Sequence, residues 1–237
     1  MIESCKRHAF YLCLFFLVTI SAYGQRAAVG IDVGETSDKF GGLASATSAT
    51  GGVSGDFIVI QGNQKEGNPS IVAGGEARFS VDTGKHASEF AAYVGPMFHF
   101  GAHFSAGFHA QVRKILLPSS PLSDGQVFSR YNMLLLEAPA VLEYKFSSAP
   151  RHAFLQAQVS PEFKPHFTTP KAGTPYPKPL LDHGYDIRGS AGYVFGKWYA
   201  RATYETRYFK FSNTLGNPNE LDNWKMRQVT GGIGVVF

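Results

Sequence analysis

The chain has 237 residues, of which 26 are glycine and 20 phenylalanine, with 17% charged and 14% aromatic. That many aromatics exclude a disordered chain. The formal charge of +4 is dispersed and forms no basic block, so nucleic-acid binding has no support.

Met1–Gly24 reads as a cleaved secretory signal peptide. Lys6 and Arg7 precede an apolar run from Ala9 to Ile20, and Ser21-Ala22-Tyr23-Gly24 supplies a small-x-small cleavage site. The run is shorter than the roughly 20 residues a spanning helix needs. Cleavage leaves one domain, 25–237. Cys5 and Cys13, the only cysteines, leave with the signal, which removes disulfide, thiol-enzyme and cysteine-metal chemistry.

From Ala27 onward the pattern is two-residue alternation bounded by turn chemistry, the signature of strands. Asp32 lies in the first of these. Thr36–Gly55, rich in Gly, Ser, Thr and Ala, reads as a long loop, and Asp56–Gly62 as a weak strand because Phe57-Ile58-Val59-Ile60 does not alternate. Ser70–Val81 sets Ile71, Ala73, Ala77 and Phe79 against Glu76 and Arg78. Glu89–Phe100 has Phe90, Ala92, Val94, Phe98 and Phe100 on one face. His103–Arg113 divides Phe104, Ala106, Phe108 and Val112 from His103, Ser105, His109, Gln111 and Arg113. Tyr131–Phe146 opposes Leu134, Leu136, Leu142 and Tyr144 to Glu137, Glu143 and Lys145, blurred by Leu135 and Val141. His152–Phe163 and Trp198–Lys210 repeat the division, the latter with Ala200, Ala202 and Tyr204 against Arg201, Thr203, Glu205 and Arg207.

Connectors alternate in length. Gly101-Ala102, Ser147–Arg151 and Gly196-Lys197 are short, while Leu116–Arg130, Pro165–His183 and Leu215–Asn223 are long. A soluble barrel turns its apolar face inward and a membrane barrel turns it outward. Here the apolar faces are Ala-rich and edged by Phe98, Phe100, Phe104, Phe195 and Trp198, as interfacial girdles are. The opposite faces carry both charge signs, which pair when enclosed. The expectation is all-β: an antiparallel up-and-down transmembrane β-barrel of about ten strands, with eight as the alternative. Its lumen holds a polar network of Glu76, Arg78, Glu89, His103, His109, Arg113, Glu137, Asp186, Arg188, Arg201, Glu205 and Arg207.

The chain ends Gly231-Gly232-Ile233-Gly234-Val235-Val236-Phe237, alternating back from a terminal aromatic through Val235, Ile233 and Val229. This resembles the closing strand of bacterial outer-membrane β-barrels. With Gly95–Phe100, His103–Arg113 and the hairpin Gly192–Arg201, the chain from Ala27 is similar to small OmpA/OmpX-like, porin-family barrel proteins. The resemblance implies a monomer in the outer membrane, in contact with its lipid. It also implies that Val229, Ile233, Val235 and Phe237 are an assembly signal for the barrel-assembly machinery. The chain departs from two-domain members in stopping at Phe237, so their cell-wall tethering is not carried over.

No catalytic, cofactor-binding or metal site is expected. His99, His103 and His109 cluster near one hairpin, and His103, Ser105 and His109 share its polar face. A Ser/His pair there could serve a lipid hydrolase, but Gly101-Ala102 puts His103 and Ser105 at the periplasmic end. Glu137 and Glu143 each read as a partner for a lumen cation rather than together as an acid/base couple. Asp182 and His183, adjacent on a strand, should point oppositely. The Gly runs lack a phosphate-loop pattern, and Thr169–Pro179 reads as a stiff surface loop. The expected role is structural or passive: membrane integrity, surface-loop interaction or at most a narrow pore. An outer-membrane lipid hydrolase and a secreted lipocalin-like carrier of an apolar ligand are the alternatives.

Overall fold

A computed structural model describes residues 27–40, 45–63, 67–81, 87–116, 121–122, 126–127, 132–168, 180–212 and 223–237. The expected signal peptide and Thr169–Pro179 lie outside them. The strands are β1 (Ala27–Phe40), β2 (Ala46–Ile60), β3 (Ser70–Ser80), β4 (Ser88–Phe100), β5 (Phe104–Phe108), β6 (Ala110–Leu116) and a two-residue pair, β7 (Pro121–Leu122) with β8 (Gln126–Val127). They continue as β9 (Asn132–Glu137), β10 (Ala140–Lys145), β11 (Arg151–Thr168), β12 (Leu180–Phe195), β13 (Trp198–Ser212) and β14 (Asn223–Val236).

Two staves of the barrel are each broken once. β5 and β6 are one stave interrupted at His109, and β9 and β10 are one interrupted at Ala138-Pro139. Register runs straight through both breaks, with Phe108 opposite Ala140 and Gln111 opposite Glu137. Pro139 has no N–H for the ladder, while its carbonyl accepts the His109 N–H at 2.9 Å. Counted this way, ten antiparallel staves follow one another up and down. β14 then pairs with β1 from Ala28↔Val236 to Phe40↔Trp224 and closes the cylinder. Closure leaves the main sheet no open edge, and the eight-strand alternative falls.

Short connections sit at one end. Gly101 and Gly196 take φ of 69° and 83°, the left-handed region in which a side chain is strained, to make the tight turns there. Two expected loops are corrected. Thr36–Gly55 is mostly strand, since β1 continues to Phe40 and β2 begins at Ala46, paired from Asp38↔Ala46 to Ala27↔Phe57. Small and hydroxyl residues read as turn chemistry by composition, but a closed barrel bonds their backbones on both sides. Likewise β11 runs to Thr168 and β12 starts at Leu180, so both ends of Pro165–His183 are strand, with a register shift between Phe163 and His166.

The alternation has the orientation lipid requires. Phe104, Phe108, Leu155 and Tyr204 are 38%, 58%, 47% and 50% exposed on the outside, whereas Arg113, Glu205 and Arg207 are 0–1% exposed inside. A lipocalin-like carrier needs the first set inward, so that alternative is overturned. Trp198 and Tyr208, both outward on β13, are separated by ten residue steps. At ~3.3 Å per residue and a tilt of ~40° that is about 25 Å, the height of the apolar band of such barrels.

Candidate functional site

The site on offer is the lumen, and it is stratified. Every inward position is the odd or even partner of a lipid-facing one, so the strand pattern alone delivers its charges to the axis. Glu76 and Arg78 come from β3, Glu89 from β4, Arg113 from β6 and Glu137 from β9. Asp186 and Arg188 come from β12, and Glu205 and Arg207 from β13.

Arg113 is the hub. Its Nε donates to Glu137 Oε1 at 2.8 Å, its Nη1 to Glu89 at 2.9 Å and Glu76 at 3.2 Å, and its Nη2 to Asp186 at 3.2 Å. Gln111 also donates to Glu137. Glu205 is the matching acceptor, taking bonds from Arg78, from Arg188 Nε at 2.9 Å and from Arg207 Nη2 at 2.7 Å. Arg188 clamps Glu76 through both terminal nitrogens, at 2.9 and 2.8 Å. Arg207 bonds Glu89 at 2.7 Å and Asp186 at 3.2 Å, and Arg78 bonds Glu89 at 3.2 Å. Such charge-assisted bonds in a low-dielectric interior polarise one another and fix each other's geometry. Among the described residues Asp186 Oδ1, Ser160 Oγ and Arg207 Nε are buried without a bond, in one cross-strand row: Ser160 faces Asp186, and Asp186 faces Arg207.

Toward the long-loop end the lumen turns apolar. Ile115, Met133, Leu135, Phe209 and Trp224 are 0–1% exposed and Met226 4%. Phe209 and Trp224 stack with centroids 5.3 Å apart, and Trp224 Nε1 donates to Asp38 at 2.8 Å. Leu135, which blurred the alternation of its segment, points inward here; Val141, which blurred it too, points inward on the short-turn side of Glu137. Between this lid and the ion network, Gln228 Nε2 donates to Thr36 Oγ1 at 2.9 Å.

Toward the short-turn end lies a vestibule of about 340 Å³, lined among others by Tyr93, His99, Ser105, His152, Tyr199 and Arg201. Arg201 donates to both oxygens of Asp32, at 3.1 and 2.6 Å, and to Ser54 Oγ at 2.7 Å. Two expected network members lie apart from the ion pairs. His103 does not join the lumen: it is exposed at the Gly101 turn, where its Nδ1 is 2.8 Å from the Lys145 carbonyl. Turn residues step off the strand's alternation, so the parity that assigned it inward does not apply. His109 is buried and stacks on Tyr93 at 5.0 Å, with Nε2 unbonded, so it neighbours the ion pairs without joining them.

The Ser/His grouping is rearranged. Ser105 Oγ lies 2.9 Å from His99 Nδ1, and His99 Nε2 lies 3.1 Å from Ser70 Oγ, which accepts the Gly62 N–H at 3.1 Å. Ser70 is remote from that grouping along the chain and joins it only through the β3–β4 register, which sets it opposite Met97. Glu143 pairs with Lys145 at 3.1 Å, apart from Glu137. Asp182 and His183 do not point oppositely: a register shift between Leu181 and His183 brings Asp182 Oδ2 to His183 Nδ1 at 3.1 Å. Among the described residues no group of three or more His, Cys, Asp or Glu is placed to hold a metal ion.

No known protein family matches the chain, and no curated protein matches it by sequence. Among solved structures it is similar to Neisserial surface protein A, at 12% identity and a TM-score of 0.41 over 89% of this chain and 97% of that one. It is also similar to the translocator domain of the autotransporter NalP from Neisseria meningitidis, at 10% identity and 0.39 over 98% and 97%. A third is Ail, the attachment invasion locus protein of Yersinia pestis, at 8% identity and 0.32 over 90% and 99%. At such distances no residue role or activity transfers, and the membrane-barrel assignment stands on the direction of this chain's own side chains.

Proposed function

We propose that this chain is a bacterial outer-membrane β-barrel with a passive, structural role, exported with its signal peptide and without catalytic activity. The outward row Val229, Ile233, Val235 and Phe237 on the closing strand is, in this reading, what the barrel-assembly machinery recognises. Lipid is the principal partner, and the chain works as a monomer without a cofactor. The observation that carries the reading is the filled lumen. Charged side chains from β3, β4, β6, β9, β12 and β13 bond across the axis, and the Phe209–Trp224 layer lies over them. A barrel of this girth has room for side chains but little for solute.

Reconstitution in a planar bilayer tests this. The expected record is free of stable open-channel steps, with folded protein that shifts mobility on heating. Long-lived steps of nanosiemens size refute the passive role, and recovery in the soluble periplasmic fraction refutes the outer-membrane assignment. A lipid hydrolase is the second reading, favoured by the Ser105–His99–Ser70 hydrogen-bond chain at the vestibule. Its test is lipid mass spectrometry of membranes with and without the protein, and an unchanged spectrum dismisses it.

A further inference from the structure

The outward side chains do not stay apolar to the long-loop end. On β1 they pass from Val29, Ile31 and Val33 to Lys39, and on β14 from Ile233 and Val229 to Arg227 and Lys225. Register sets these cations side by side: Lys39 is directly opposite Lys225, and Ser37 is opposite Arg227. On the next strand Lys225 faces Tyr208, and Lys210 follows at the same edge opposite Asn223. Lys39, Lys210, Lys225 and Arg227 are all exposed.

Like charges directly opposite on a sheet repel and destabilise it. Among the described residues none of these four has an ion-pair partner, although Lys225 Nζ sits 5.5 Å over the Tyr208 ring. The acids near them are Glu35, outward on β1 and two residues below the Ser37–Arg227 pair, and Asp182, which bonds His183. The patch therefore has an excess of positive charge that the described barrel wall does not neutralise.

Its height says what kind of anion fits. Tyr208 stands about 25 Å above Trp198 along the wall, at the upper edge of the apolar band. Directly below Arg227 comes Val229, 59% exposed, and beside the patch Tyr185 and Tyr208 have ring centroids 5.7 Å apart. An occupant must be charged at the level of Lys39 and Lys225 and apolar just beneath it. That is an amphiphile lying along the barrel. A guanidinium fork and paired ammonium groups suit phosphate oxygens.

We propose that the outward face of β1, β14 and β13 binds the phosphate groups of an anionic glycolipid headgroup in the outer leaflet. Lys39, Lys225 and Arg227 are its cations, with Lys210 at the edge. The proposal rests on the outer-membrane reading above and names a lipid for that surface.

The test uses the full barrel in phosphatidylcholine nanodiscs doped with bis-phosphorylated lipid A or with its dephosphorylated form, and native mass spectrometry counts retained lipid. The parent is expected to retain the phosphorylated form selectively. The variant Lys39→Gln/Lys225→Gln/Arg227→Gln, its fold checked by heat-modifiable mobility, should lose about five-fold in affinity per charge removed. Lys39→Arg and the opposite-rim control Arg151→Gln should bind like the parent. Equal retention by the triple variant, or equal retention of the dephosphorylated lipid, overturns the proposal. So does inorganic pyrophosphate binding as tightly as the lipid, which marks a free-phosphate site. A parent that folds but never enters the nanodisc fails the outer-membrane reading itself, and the proposal with it.

Discussion

Removing the Arg113 guanidinium should be among the costliest single changes in this barrel. Its side chain is 0% exposed and bonds four carboxylates, those of Glu76, Glu89, Glu137 and Asp186. The central layer sets Glu76, Glu89, Glu137, Asp186 and Glu205 against Arg78, Arg113, Arg188 and Arg207, already one acid in excess. Arg113→Met fills similar volume but leaves the same acids with one guanidinium fewer. Breaking a buried ion pair from one side costs about 3–5 kcal/mol, because the remaining charge stays desolvated and unpaired. Adding Glu137→Gln removes the acid left nearest the gap, so the double variant should recover about 1–3 kcal/mol relative to the summed single changes. Urea titration of the folded barrel in lipid bilayers, followed by tryptophan fluorescence and heat-modifiable mobility, measures both. An Arg113→Met variant within about 0.5 kcal/mol of the parent, the range of an ordinary surface change, refutes the claim that this network holds the lumen together.

Leu155 is 47% exposed on the lipid face, a few residues above the short-turn end of β11. Leu155→Arg should cost about 2–4 kcal/mol in the same titration, and a neutral result argues against lipid on that face. Trp224→Ala removes a 1%-exposed ring stacked on Phe209 and should cost about 3–5 kcal/mol. The outward Trp198→Ala should cost much less, and equal losses contradict the lid. Gly196→Ala forces a side chain onto a backbone at φ 83° and should cost about 1–2 kcal/mol. An unaffected midpoint shows that the turn can relax.

The inward and outward sets were legible in the sequence because a membrane barrel obeys one rule over its whole length, and ten residues of alternation state it many times over. The short turns at Gly101 and Gly196 were legible for the same reason, as interruptions of that rule. What escaped notice was local. The Gly, Ser, Thr and Ala content of Thr36–Gly55 is that of a loop in water, but β1 lies between β14 and β2, and β2 between β1 and β3, which supplies both sets of backbone hydrogen bonds. Leu135 and Val141 break the alternation only if a lumen is polar throughout; Leu135 belongs to the apolar layer near the long loops, and Val141 is an apolar inward residue on the short-turn side of Glu137. His103 was assigned by parity in a turn, where parity fails. His99 with Ser70 and Ser105, and Asp182 with His183, depend on cross-strand register and on a bulge, neither of which spacing along one chain encodes.

The most direct test walks a nitroxide along β11. No cysteine lies between Gly24 and Phe237, so single cysteines can be placed from Ala153 to Ser160 in a background lacking Cys5 and Cys13. In bilayers, oxygen should reach labels at Ala153, Leu155, Ala157 and Val159 and avoid those at Phe154, Gln156, Gln158 and Ser160, with a period of two residues. The opposite phase, or high accessibility to a water-soluble nickel reagent at Leu155 and Val159, contradicts the account at its foundation.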